Sequence, residues 1–259
     1  MTPEFKSKIL NDLNKSGFHS EMKAIQIFQQ AEWICNVSAG YFDKDEEKSR
    51  EIDVSAYRGI VENQITCFIH IIADVKKSDK PWLVFKNNGP WYQTIESKTI
   101  LNILNLKLIA NDLWPILSTE AISGKLKWVG YGIHECFKEP NVNSKWYSSF
   151  VSVIKACEDL GNTKWEPFSK NNSKVIVLVK PVVILDGTLL AAGLNSSNEV
   201  DVSNVPYASV DFYYKSQRYS REDYRIDVVT LDRLKEYLDI YENVSNHIRS
   251  VAYSKINQA

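Results

Sequence analysis

Glycine is scarce in this chain, ten among 259 residues, and none of it falls in a G-x-G-x-x-G or P-loop spacing. That removes the commonest phosphate-cradling loops and the dinucleotide- and NTP-dependent enzymes built on them. Cysteine is sparser still. Cys35, Cys67, Cys136 and Cys157 form no C-x-x-C pair, and no histidine joins them at zinc spacing. Cys67 lies in an apolar run and Cys157 on an apolar helix stripe, so both read as core thiols of a protein kept in a reducing, cytoplasmic setting. The histidines His19, His70, His134 and His247 share no spacing, and His70, inside the apolar run, reads as a satisfied core histidine. No apolar stretch reaches membrane-spanning length, because residues 175–185 are broken by Lys180 and Pro181. The N-terminus, Met-Thr-Pro-Glu-Phe-Lys, has no signal-peptide apolar region. There is no excess of one charge: 31 basic against 32 acidic residues leave −1, so any contact with nucleic acid has to come from a local patch. What remains, at 44% hydrophobic and 24% charged, is an ordinary globular composition.

Helical and strand-like patterns alternate without a linker, a repeat or a low-complexity tract. Residues 20–34 read as a helix, with Ser20 as N-cap and Met22, Ile25, Phe28 and Ala31 at helical spacing. Residues 33–43 and 50–61 read as strands around a polar loop at 43–48; 64–76 is a third strand, and 82–86 continues or follows it. The Leu/Ile-rich stretch 98–117 reads as a helix disturbed by Pro115. Residues 126–137 read as a strand with a bulge at Gly130-Tyr131-Gly132, and 145–160 as a helix that stops before Gly161. Residues 175–184 form a buried strand followed by an Asp186-Gly187 hairpin turn. Strands at 205–214 and 224–229 precede a final helix at 231–250, capped by Thr230. The polar stretches 86–99, 161–173 and 195–204 read as loops. The expectation is one α/β domain spanning residues 1–259, a mixed central sheet flanked by helices. Its core lies in residues 17–160, with C-terminal strands and a helix, 174–250, packed on it.

Chemistry concentrates in Lys48-Ser49-Arg50-Glu51-Ile52-Asp53 and Ile72-Ala73-Asp74-Val75-Lys76. Residues 65–73 are almost all apolar, the mark of a central strand buried on both faces. An acid and a lysine at the end of such a strand need partners or a ligand. Asp74 and Lys76 project to one face, Val75 to the other. A turn centred on Asn63-Gln64 would set Asp53 opposite Asp74, their β-carbons roughly 5 Å apart. Two carboxylates that close repel, and a bound Mg²⁺ or Mn²⁺ removes the conflict. A one-residue slip in register would separate them. Lys76, Lys77, Lys80 and Lys86 form the nearest cationic run. The seven tryptophans and thirteen tyrosines read mostly as core or interface, with any base-stacking exceptions not singled out by the sequence; Trp82 and Trp91 lie closest to the acids and Lys76. Glu51 reads as a surface or dimer residue, and Arg50 as a phosphate contact or the partner of Glu51. The plain reading of Asp53, Asp74 and Lys76 is a structural ion pair at a strand end.

These residues resemble the PD-(D/E)XK nuclease superfamily. The likeness takes in Gly17-Phe18-His19-Ser20-Glu21-Met22-Lys23-Ala24, similar to the family's first helix with its glutamate; the loop Tyr41-Phe42-Asp43-Lys44-Asp45; the Arg-Glu-Ile-Asp strand; and Lys77-Ser78-Asp79-Lys80-Pro81-Trp82 after the lysine. It covers about residues 17–85, and the rest only by element order. Ile52 stands where the family has proline, and Asp74 where glutamate is more usual. The resemblance implies a restriction-endonuclease-like fold and metal-dependent phosphodiester hydrolysis, as a DNA endonuclease in antiviral defence, restriction or repair. Asp53, Asp74 and the Val75 carbonyl would bind Mg²⁺ or Mn²⁺. Glu21 would complete the shell, through water or at a second ion, or is simply an exposed first-turn glutamate favoured by the helix dipole, and Lys76 would orient the attacking water or stabilise the transition state. Its substrate would be nucleic acid, DNA ahead of RNA. A homodimer or higher homo-oligomer, or a targeting or activating partner protein, would supply a cleft wide enough for duplex. The alternative is a nuclease-like module that binds nucleic acid or a protein without cutting.

Overall fold

The computed structural model describes residues 1–62, 65–87, 98–106, 113, 129–139, 142–171 and 173–256. Trp91 and the turn at Asn63-Gln64 lie outside them, as do most of the expected helix at 98–117 and of the loop at 86–99.

The chain opens with α1 (Pro3–Lys15) and α2 (Phe18–Gln30). An antiparallel run follows: β1 (Ile34–Asp43), β2 (Lys48–Glu62) and β3 (Ile65–Lys77). After β3 come β4 (Trp82–Lys86), β5 (Ile100–Leu104), β6 (Val129–Glu135), α3 (Lys145–Thr163) and the short α4 (Glu166–Lys170). The C-terminal part holds β7 (Lys174–Asp186), β8 (Leu189–Leu194), β9 (Val200–Asn204), β10 (Tyr207–Tyr213) and β11 (Asp223–Thr230). One 3₁₀ turn (Leu231–Arg233) then leads into α5 (Leu234–Ile256). Among the described residues, eleven strands join one mixed sheet in the order β1-β2-β3-β7-β11-β10-β6-β4-β8-β9, with β5 pairing β7. The chain is thus α/β, a mixed sheet flanked by helices.

Alternation along β3 explains the layers. Ile65, Cys67, Ile69, Ile71, Ala73 and Val75 enter one core with Ala24 and Phe28 of α2 and Leu234, Tyr237, Leu238 and Ile248 of α5. Ile72 enters a second core on the opposite face with Phe150, Val153, Ile154 and Cys157 of α3. β7, apolar on both faces, runs parallel to β3 along its whole length, so the C-terminal segment supplies the centre of the sheet. Lys180 is the polar break in β7. It meets the buried Asp227 at 3.1 Å, and Asp227 also accepts from Tyr237, Tyr241 and Ser209.

Several expectations are corrected. Asp186-Gly187 is not a hairpin turn, since β8 pairs β4 and β9 rather than β7. β3 continues into β4 and β7 into β8, and the two parallel strands bend together: Ser78 N–H donates to Asp186 O (3.0 Å) and Trp82 N–H to Thr188 O (2.9 Å). Gly187 is needed there for space, not for a left-handed φ, because a β-carbon would stand 2.5 Å from Ser78 O. Residues 100–104 are strand rather than helix; a short Leu/Ile run does not distinguish the two by periodicity. β9 and α4 occupy stretches that read as loops. Helix α3 runs through Gly161, whose bare face lets the helix lie against Val179. Ser20 sits inside α2 rather than capping it, and Thr230 Oγ1 donates to Pro206 O instead of capping α5. Arg50 pairs with Asp43 and Glu46, not Glu51, in the network by which Lys155 ties the β1–β2 turn to α3. The bulge at Gly130–Gly132 is present: Phe85 pairs Gly132 and Lys86 pairs Gly130, passing over Tyr131. α1 escaped the sequence reading, although Thr2 caps it, Pro3 starts it and Glu4 lies in its first turn.

Candidate active site

Every β2–β3 pair, from Glu62 with Ile65 to Val54 with Ala73, keeps one register, which ends one step short of Asp53 and Asp74. There the main-chain ladder gives way to a side chain. Val75 N–H donates to Asp53 Oδ2 at 2.7 Å. On the other edge of β2, Ser38 takes a left-handed φ of 48° and interrupts the β1–β2 ladder opposite Asp53. The carboxylate therefore sits where both neighbouring strands loosen.

Asp74 is buried at 7% exposure and Lys76 folds back onto it. Lys76 Nζ donates to Oδ1 at 2.9 Å and lies 2.8 Å from Oδ2, an ion contact without hydrogen-bond geometry. The same ammonium group is 3.5 Å from the Val75 carbonyl oxygen. Burial, and next the charge of Asp74, push the Asp53 carboxyl up to about 6; the Val75 N–H and Lys76 pull the other way, and Glu21 adds to the rise. Glu21 is thus within electrostatic reach of Asp53. Its helix is fixed by Ala24 and Phe28 in the core and by Ser20, whose hydroxyl donates to Asp186 Oδ2 at 2.5 Å.

The structure brings Asp53, Asp74 and Lys76 together, with Glu21 near enough to add to the rise at Asp53. Among the described residues, no three Asp, Glu, His or Cys side chains converge to enclose an ion. Two carboxylates, one with a buried oxygen that accepts no hydrogen bond, and an adjacent carbonyl still suit a hard cation that keeps several of its waters. Trp82 is fully buried and unavailable for stacking, and Glu51 is exposed. His70 is a core residue: Nε2 is 2.9 Å from Ser55 Oγ, and burial pulls its pKa down to about 3. Cys67 and Cys157 are buried free thiols. The sequence reading missed Asp186 as the anchor of α2, because an Asp-Gly after a strand signals a turn, and it missed the lysines that α3 and the β6–α3 loop bring to this corner. No described helix is long and apolar enough to cross a membrane. No family model, no curated protein and no solved structure matches the chain.

Proposed function

We propose that the chain is a metal-dependent nuclease of restriction-endonuclease-like fold, acting on DNA ahead of RNA, in defence, restriction or repair. The observation that carries this reading is the juxtaposition of Asp53 and Asp74, two partly or fully buried carboxylates left in electrostatic conflict beside Lys76. A structural ion pair needs one acid for one lysine; the second acid is the excess a divalent cation would balance. Asp53, Asp74 and the Val75 carbonyl would hold Mg²⁺ or Mn²⁺, with Glu21 reaching it through water. A bound ion would activate water and neutralise charge on a phosphate. Lys76, 31% exposed, can turn from Asp74 to a phosphate oxygen or hold the attacking water. Burial of Asp74 keeps its carboxylate fixed.

The second reading is a nuclease-like module that binds nucleic acid or a protein without cutting. It is favoured by the completeness of the Asp74–Lys76 pair, which satisfies the lysine with no ion present. Incubating plasmid, linear DNA and RNA with the protein in Mg²⁺, Mn²⁺ or EDTA separates the two. The nuclease gives nicked or shortened product that EDTA abolishes; the module gives gel shifts and no product. A homodimer or an activating protein partner belongs to the same proposal, so inactivity of the chain alone is followed by the same assay with the products of neighbouring genes. Inactivity there as well removes the enzyme reading.

A further inference from the structure

The cationic groups of this chain divide by what they touch. Over much of the described molecule a Lys or Arg head lies on a carboxylate: Lys48 on Glu46, Arg58 on Glu242, Lys155 on Asp43 and Asp45, Lys180 on Asp227, Arg225 on Asp211. Around the β3–β4 corner the pattern changes. Lys77 Nζ donates to Asn14 O (2.5 Å), Lys80 Nζ to Phe137 O (2.6 Å), Lys145 Nζ to Lys77 O (3.1 Å), and Lys138 Nζ to Val142 O. A carbonyl orients an ammonium group and leaves its charge uncancelled. Asp79 and Glu139 are exposed in the same corner, but neither forms an ion pair among the described residues. Lys77 follows Lys76 in β3 but projects to the opposite face, and Lys145 reaches the Lys77 carbonyl.

Exposed aromatic rings stand among the same lysines. Phe137 is 84% exposed and held at a φ of 57°, a conformation that bulky side chains rarely adopt. Tyr147 is 50% exposed in the first turn of α3. Beside it an open depression of about 720 Å³ is lined by residues 143–148, including Lys145 and Trp146. The Phe137 ring in solvent and the half-exposed Tyr147 ring, which also meets Trp146 and Phe212 in T-shaped contacts at 5.7 and 5.8 Å, stand beside ammonium groups that face no carboxylate and suit a chain that alternates phosphates with flat bases. A duplex, with its base faces stacked inside, has no use for the rings.

We infer that this corner is a docking track for a single nucleic-acid strand, with Lys80, Lys138 and Lys145 on its phosphates and Phe137 and Tyr147 stacked on its bases. That the strand leads to Asp53, Asp74 and Lys76 rests on the function proposed above; the track itself does not.

The test is binding in EDTA, where cleavage plays no part. A fluorescent oligo(dT) of about 12 nucleotides is titrated with the protein over a salt series, beside a duplex of equal length and a heparin competitor. The wild type should bind the strand more tightly than the duplex. The Lys80→Gln/Lys138→Gln/Lys145→Gln variant should lose at least tenfold in affinity at low salt and about two units of slope in log K against log salt. Phe137→Ala/Tyr147→Ala should lose about tenfold on the strand with its slope unchanged, and nothing on the duplex. Circular dichroism melts check that both variants are folded. Wild-type affinity in either folded variant, equal binding of strand and duplex, or no binding at low salt overturns the track even if metal-dependent cleavage is found. Strand binding that the variants weaken, with no cleavage in Mg²⁺ by the chain alone or with the products of neighbouring genes, keeps the track and removes the enzyme.

Discussion

Replacing Asp53 with asparagine should stabilise this protein, and only at pH values where the aspartate is charged. Burial and then Asp74 push its carboxyl up to about 6 in the folded chain, against about 3.9 in an unfolded one. The folded state therefore holds this proton more tightly. The stabilisation is fully present below about pH 4 and is lost as pH rises to about 6; above that, ionised Asp53 costs roughly 2–3 kcal/mol. Asparagine keeps an oxygen to accept the Val75 N–H, so the 2.7 Å hydrogen bond survives the change while the repulsion does not. In metal-free buffer at pH 8, Asp53→Asn should melt about 5–10 °C above the wild type. At pH 4 the two should agree within about 2 °C. The assay is a series of thermal melts from pH 4 to 8 with EDTA. A wild type as stable as the variant at pH 8, or a gap that does not depend on pH, would refute the reasoning that Asp53 and Asp74 are in conflict.

Three further outcomes are expected. Mn²⁺ should raise the melting temperature of the wild type and give binding heat in calorimetry, and do neither for Asp53→Asn/Asp74→Asn; equal responses would sink the assignment of the metal site. Lys76→Ala should fold, because that side chain is part-exposed and bonds only at the strand end. Yet it should lose about a hundredfold or more in cleavage while binding nucleic acid nearly as well; retained cleavage would place the active centre elsewhere. Asp227→Ala strands Lys180 in the core and strips the acceptor from Ser209, Tyr237 and Tyr241. It should destabilise by about 3–5 kcal/mol, read in urea unfolding, with cleavage per folded molecule unchanged. A loss below about 1 kcal/mol would mean the network is replaceable.

The sequence alone settled what alternation and local pairing can settle. An apolar run with no polar face had to be an interior strand, so β3 and β7 were legible, and beneath them the placement of Asp74 and Lys76 on one face. The β2–β3 register was legible because a turn with few residues leaves few pairings, and it carried Asp53 to Asp74. Helices α2, α3 and α5 showed in their apolar spacing, though their caps did not: Ser20 and Thr230 have cap chemistry, yet the Ser20 hydroxyl spends its hydrogen bond on Asp186 at the end of β7 and the Thr230 hydroxyl on Pro206 in the β9–β10 link. Long-range pairing had no signal in the chain. Nothing in Ile100–Leu104 says that it will find half of β7 and become a strand, and nothing in Asp186-Gly187 says that Ser78 will close over it. The charge pattern divided the same way. Lys76, Lys77 and Lys80 are neighbours in sequence, but Lys138 and Lys145 join them only because β4 pairs β6 and α3 begins beside the corner. The local code gave the two acids and the lysine, since their geometry depends on one hairpin. Their surroundings depend on contacts between residues far apart in the chain, which only the folded sheet decides.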